Sequence, residues 1–228
     1  MKKKWLLGYI ILGILFMGLS VQAVHMVTSR GASGGYRWLV VIDPGHGGFD
    51  PGKVGVDGVL EKDLNLEIAL KLQELLEKND VKVIMTREAD VGLAEAGKAN
   101  KSEDMRNRVN LVNGAGADLA VSIHQNSFTD SSATGAQVFY YKESEEGRLL
   151  AEVLQEQLKT TLEDGNHRLA KSNSDYYMLK KTLCPLVIVE CGFLSNPEEA
   201  VRLQTEGWQA DLAWAIHLGI LQYLNQRE

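Results

Sequence analysis

The chain has 228 residues, close to the size of one large α/β domain with an attached segment. Apolar residues make up 45% and charged residues 24%, the balance of a globular protein that buries a substantial core. A formal net charge of −6 supplies no basic field for a nucleic-acid partner. Two cysteines, Cys184 and Cys191, lack C-x-x-C spacing, which excludes a disulfide framework and a structural zinc knuckle. Both are expected to be buried thiols.

In chain order, the first segment is "MKKKWLLGYIILGILFMGLSVQAVHM". Three lysines precede an apolar run from Trp5 to Leu19, and small or short residues follow up to Ala23. That is the order of a secretory signal. Extended through Val27, the run reaches the roughly 20 residues of a membrane span, so residues 1–27 read as a signal peptide or an N-terminal membrane anchor. The lysines keep the N-terminus cytoplasmic in either case, and the rest of the chain is expected outside the cytoplasm, secreted or anchored at the cell envelope. No cysteine lies near Ala23, so a lipoprotein signal is excluded. Residues 28–37, "TSRGASGGYR", form a Gly/Ser-rich linker, and 38–228 form the folded domain.

Beyond the linker, short β-type runs alternate with longer amphipathic ones. Strands are predicted at 38–43, 81–86, 117–123, 136–141 and 186–190, and helices at 61–79, 102–113, 145–161 and 197–223. This order implies a single α/β domain with a mostly parallel, twisted sheet of about five to six strands, covered by helices on both faces. The first helix shows the logic: Leu64, Ile68, Leu72, Leu75 and Leu76 recur at helical spacing and should lie on the sheet. Glu61, at the start of that helix, has a bland explanation as a carboxylate favoured by the macrodipole.

The polar residues at the strand ends carry the chemistry. His46 follows the first strand, His124 ends "ADLAVSIH", and Glu190 ends "PLVIVE". Carboxyl ends of parallel strands share one edge, where ligands bind. Two histidines and a carboxylate therefore converge there, with Glu61 on the helix after the first loop. Two His and one carboxylate around an open position suit a catalytic zinc, and a further carboxylate outside that shell suits a general base. A competing reading takes "GGFDPGKV", 47–54, as a phosphate-binding loop. It fails because Val54 stands where Ser or Thr must follow the lysine, and because glycines at 55 and 58 block an immediate helix. No nucleotide is expected.

"IDPGHGG", "LEKDLNL", "VSIHQN" and "VIVECGFLSN", in this order, resemble the zinc-dependent N-acetylmuramoyl-L-alanine amidases that cleave peptidoglycan. The resemblance runs from about Trp38 to Tyr223. The compact form, with an N-terminal hydrophobic segment and no wall-binding repeats, is most similar to the germination-specific, CwlD-like group of spore formers. The resemblance implies that His46, Glu61 and His124 ligate one Zn²⁺ and that Glu190 is the catalytic glutamate. It further implies action on glycan strands and stem peptides, in spore cortex on the route to muramic-δ-lactam. Some members of the group need a lipoprotein partner, and the membrane is a partner if the N-terminal segment is uncleaved.

Other residues carry softer expectations. Asn126 and Arg106 are candidate substrate contacts, Asn126 having an equally good reading as a turn former. Arg87 is expected to be structural, pairing with acids in the loop after it. Asp43 and Asp50 should shape the first turn, and Lys53 should be a solvated loop residue. His25, His167 and His217 fall in no motif, and Cys191 has no histidine in sequence to activate it. Two rival functions remain at this stage: a catalytically silent peptidoglycan-binding or partner-recruiting module of the same fold, and a zinc peptidase cutting within the stem peptide.

Overall fold

The protein is seen in a computed structural model that describes residues 36–95 and 99–227. The predicted signal or anchor, His25 with it, and all but the end of the linker lie outside the described residues. Among the described residues, no helix is long and apolar enough to cross a membrane.

The elements are β1 (Trp38–Pro44), α1 (Glu61–Glu77), β2 (Val81–Met85), α2 (Lys101–Ala115), β3 (Leu119–Asn126), β4 (Gln137–Tyr141), α3 (Glu145–Leu162), β5 (Lys171–Asn173), α4 (Tyr177–Lys181), β6 (Leu186–Phe193), α5 (Pro197–Leu203) and α6 (Glu206–Asn225). The six strands form one sheet in the order β2-β1-β3-β6-β4-β5. All neighbours are parallel except β4 with β6, which are antiparallel. β1, β3 and β6 are central and buried on both faces, so they read as continuous apolar runs.

Alternation along these strands sorts the core into two layers. Val40, Ile42, Leu119, Val121, Ile123, Val187 and Val189 meet α1, α3 and α6 on one face. Among the described residues, Val41, Ala120, Leu186 and Ile188 meet only α2 and the short α4 on the other. In α1, Leu64, Ile68, Leu72 and Leu76 are buried as their spacing predicts. The second face is thinly covered, and a cavity opens there between α2 and the start of α4.

Three features depart from the sequence reading. The predicted helix 197–223 is two helices, because Thr205 turns its hydroxyl back to accept from the Trp208 amide at 3.4 Å and starts α6 afresh. β5 and α4 were not anticipated: three polar residues and five mixed ones are too short to show a period. β3 and β6 run further than predicted, to Asn126 and Phe193. Their register shifts between His124 and Asn126, an irregularity of the kind that re-aims side chains at a site.

Leu154 of α3 is fully buried in the larger core beside residues of α6. Leu154→Ala should destabilise the protein by about 2–5 kcal/mol, read as a lower urea midpoint at unchanged slope.

Candidate active site

The first loop is closed onto α1 by backbone bonds. The amides of Glu61 and Lys62 have no partner within the helix, and the carbonyls of Lys53 and Pro51 accept from them at 2.9 and 3.1 Å. In return the Lys53 amide donates to Glu61 Oε2 at 2.7 Å. The loop thereby turns back beneath its own helix. At Gly52, which has φ +69°, a Cβ would stand 2.6 Å from Glu61 Oε2 and 2.7 Å from the His46 ring. At Gly45 a Cβ would stand 2.2 Å from the His124 ring. Neither place admits a side chain.

With these constraints met, Glu61 Oε1 lies 3.2 Å from His46 Nε2 and 3.0 Å from His124 Nδ1. The donor atoms of His46, Glu61 and His124 lie within 4.8 Å of one another. His46 sits in the left-handed region at φ 62°, sparsely populated for a side-chain-bearing residue. Its Nδ1 is 2.9 Å from Asp50 Oδ2, so a proton there leaves the Nε2 lone pair facing a carboxylate oxygen. Glu61 Oε1 thus confronts two ring nitrogens while also accepting from the Gln125 amide at 3.1 Å. Such a concentration of acceptors is balanced by protons on both rings or by a single cation. The donor set, with Asp50 behind His46, is the chemistry of a metal site with its outer support. Burial alone would raise the Glu61 carboxyl, but hydrogen bonds and charge from His124 and His46 outweigh it and hold it well below the usual range. Burial would lower His124, and the same bond and charge from Glu61 raise it instead.

Glu190 faces His124 across the β3–β6 pairing. It is 8% exposed and its Oε2 has no hydrogen-bond partner. Burial pushes its pKa up to about 7, with His124 and His46 pulling back and the Glu61 charge adding to the rise. All four residues line one cavity of about 480 Å³, a size suited to a small ligand or a piece of a polymer.

Beneath the site, two arginines hold the turn. Arg108 donates to Asp43 Oδ1 at 2.7 Å, to the Pro44 carbonyl at 2.9 Å and to the His46 carbonyl at 2.6 Å. Arg87 donates to the carbonyls of Pro44, Gly45, Lys62 and Ala89. Arg87 is therefore structural, but its hydrogen bonds go to backbone oxygens rather than to acids of the following loop. Asp43 also accepts from Ser122 and Thr86, both at 2.6 Å. Burial would raise its carboxyl, yet the Arg108 charge and these two hydroxyls take it from an ordinary 3.8 down to about 2.

Of the softer candidates, Asn126 lines the cavity and also accepts from its neighbour's amide, Ser127, at 2.8 Å, so wall and turn former coincide. Arg106 is exposed and lies outside the cavity lining, whereas Arg108, two residues on, faces it from the buried side of α2. Lys53 is exposed at the rim. Cys191 is buried as expected, but Cys184 is only partly so, and burial raises both thiols, Cys184 to about 11, so neither is a thiolate at neutral pH. His217 is buried in α6, 3.1 Å from Asn79, and His167 is exposed. Sequence reasoning missed Asn65, Gln125, Lys101, Met105, Tyr176, Tyr177 and Met178. No short motif marks them, and Tyr176 to Met178 arrive on an element that periodicity could not show.

Comparison with known proteins decides the family. Residues 40–222 match the model of the N-acetylmuramoyl-L-alanine amidases. The chain belongs to this family. It is 39% identical over 234 residues to the germination-specific N-acetylmuramoyl-L-alanine amidase of Bacillus subtilis strain 168, covering 99% of this chain and 97% of that one. It is 30% identical over 244 residues to the amidase AmiA of Escherichia coli K12, covering 88% and 81%. Among solved structures, the CwlD amidase of Clostridioides difficile, in complex with the GerS lipoprotein, superposes with a TM-score of 0.81 at 40% identity. That match covers 83% of this chain and all of the other. The amidase fold and family activity are those of this chain, and the single-domain α/β architecture agrees with the sequence reading.

Two outcomes follow from this geometry. Gly45→Ala must displace the His124 ring, so Zn²⁺ affinity in a chelator competition should fall about 10–100-fold. Asp43 titrates lower in the fold than in the unfolded chain, so its stabilisation is complete above about pH 4 and is lost as the pH falls through 2. It amounts to about 2 kcal/mol. Asp43→Asn should cost about 3–5 kcal/mol at pH 7 by stranding Arg108, and should flatten the acid limb between pH 4 and 2 in urea titrations.

Proposed function

We propose that this amidase is a zinc enzyme in which His46, Glu61 and His124 hold the metal and Glu190 moves the protons. The observation that carries the reading is the unpartnered Oε2 of Glu190, buried in the cavity that the three donors also line. A charged carboxylate with no partner is costly to bury, and one held near neutrality is suited to accept and return a proton.

Bound at this triad, zinc supplies Lewis-acid polarisation of the scissile carbonyl and lowers the pKa of a water from 15.7 toward about 7. Glu190, whose carboxyl lies in the same cavity, would take the proton of the attacking water as the water's oxygen adds to the carbonyl carbon of the lactyl group. The same carboxyl then gives the proton to the alanine nitrogen as the C–N bond breaks. The products are a free lactyl carboxylate on N-acetylmuramic acid and a stem peptide with a free L-alanine amine. Asp50 fixes the orientation of His46 throughout, and Lys53 and Gln125 fix the two oxygens of Glu61 through their amides.

The extent of the likeness to the B. subtilis germination-specific amidase supports spore cortex as the wall acted upon. Stripped muramates there are the precursors of muramic-δ-lactam. The likeness to a structure containing a lipoprotein supports a lipoprotein partner for this chain. An extracytoplasmic location follows from the same substrate, with residues 1–27 as signal or anchor and 28–37 as linker to the catalytic domain.

Purified sacculi digested with this protein should release peptides whose only new amine is that of L-alanine, identified by mass spectrometry. Glu190→Gln should keep its zinc and lose about 10²–10⁴ in rate. Release at near wild-type rate by that variant would remove Glu190 from the mechanism. New amines within the stem would replace the amidase reading with a peptidase.

A further inference from the structure

Glu190 sits where β6 is about to lose a neighbour. On one side β6 meets β3, with Glu190 opposite His124. On the other it meets β4, and the pair of Gln137 with Glu190 is the last of that ladder. Continued in register, Gly192 would face Gly135 and Phe193 would face Thr134. Instead Gly135 takes φ +90°, the chain bends away, and the Thr134 carbonyl accepts from Arg168 Nε at 2.7 Å. The buried amides of Gly135 and Phe193 are left where the strands part, and buried amides need acceptors. Glu199 of α5 supplies both. Its Oε1 accepts from the Gly135 amide at 2.9 Å and its Oε2 from the Phe193 amide at 2.8 Å. The side chain is nearly inaccessible to water, and Arg202 Nη2, 3.0 Å from Oε1, balances its charge.

We propose that Glu199 is a positioning residue for Glu190: its carboxylate clamps β6 to the entry of β4 just beyond their last pair, and so fixes the strand from which Glu190 reaches the cavity. This role rests on Glu190 as the proton carrier. Glu190 Oε2 has no hydrogen-bond partner, so the aim of that carboxyl depends on the backbone beneath it. Glu199 itself stands outside the lining of the catalytic cavity. The commoner duty of a glutamate at its place in a helix is closed to it. A third-position glutamate ordinarily reaches back to the amide of the capping residue. Here the Asn196 amide is already held by the Phe193 carbonyl at 3.0 Å. Asn196 Oδ1 in turn accepts from the amides of Glu198 and Glu199 at 2.9 and 3.1 Å, which seats Glu199 beside the strand end. Bonds from amides to a carboxylate are charge-assisted, stronger than those of the ladder they replace.

The test compares kcat and KM of zinc-loaded full-chain variants on a soluble N-acetylmuramoyl-L-alanyl peptide, each rate expressed per folded molecule from the variant's urea curve. The neutral side chain of Glu199→Gln can accept at one end only, and that of Glu199→Asp is too short to span both amides. Either should lower kcat about 10–100-fold, the scale of a misplaced catalytic group, with KM within about threefold and zinc content unchanged. Arg202→Gln leaves both amide bonds in place and should keep kcat within about twofold of wild type, since position rather than charge sets the rate. If Glu199→Gln does not fold, Glu199→Asp decides, because it keeps a charge facing Arg202. A purely structural Glu199 would lower the urea midpoint and leave kcat per folded molecule unchanged, and that result overturns the proposal. An equal loss of kcat in Arg202→Gln overturns it as well, by assigning the effect to charge. Glu190→Gln is measured beside them. A near wild-type rate there removes the proton carrier, whereas loss there with unchanged Glu199 variants removes the clamp alone.

Discussion

Everything at the mouth of this sheet depends on the buried pair of Asp43 and Arg108. The guanidinium comes from α2 and the carboxylate from the end of β1, and both are nearly inaccessible to water. Alone, either charge would be expensive at that depth. Together, with Ser122, Thr86 and Asp104 completing the bonds, they form a plug where β1, β2, β3 and α2 meet. The remaining arms of Arg108 reach the carbonyls of Pro44 and His46, so the plug also fixes the path of the chain into the site.

That fixing matters because His46 is held where few side-chain-bearing residues rest. A left-handed backbone at His46 costs free energy, and it persists because neighbouring groups over-determine it. Arg87 and Asn65 both donate to the Gly45 carbonyl, Arg108 holds the next one, and Asp50 takes the ring nitrogen. The imidazole is thereby aimed at Glu61 before any metal arrives. Donors to a cation hold it more tightly when they need not be gathered, and hydrogen bonds the fold makes anyway already bring His46 and Glu61 together.

The two faces of the sheet have different duties. One is sealed by three long helices and carries most of the core. Among the described residues the other is covered only by α2 and a five-residue helix, and the gap between them becomes the cavity. Strand alternation places Asp43, Ser122, His124 and Glu190 on that thinner side. The same period that buries Val40 and Ile42 presents the polar residues to the open one.

Much of this was written in the sequence. Periodicity in "LNLEIALKLQELL" fixes both the helix and its buried face, because one side chain in three or four must leave water. The four motifs nominate His46, Glu61, His124 and Glu190, since parallel strands deliver their carboxyl ends to one edge whatever separates them in sequence. Other features depend on distances that no local pattern encodes. Arg87 turned to carbonyls instead of acids, and Arg108 rather than the exposed Arg106 faces the cavity, because α2 packs with that side toward β1. The helix 197–223 divided because Thr205 could cap its second part. The cavity draws its walls from α1, α2, β3, α4 and β6, most of them far apart in the chain. The sequence by itself determined which polar residues gather at the sheet edge, because their types and their positions at the ends of elements are local properties. Only the tertiary structure decided what surrounds them, because contacts between distant segments are set by how whole layers pack.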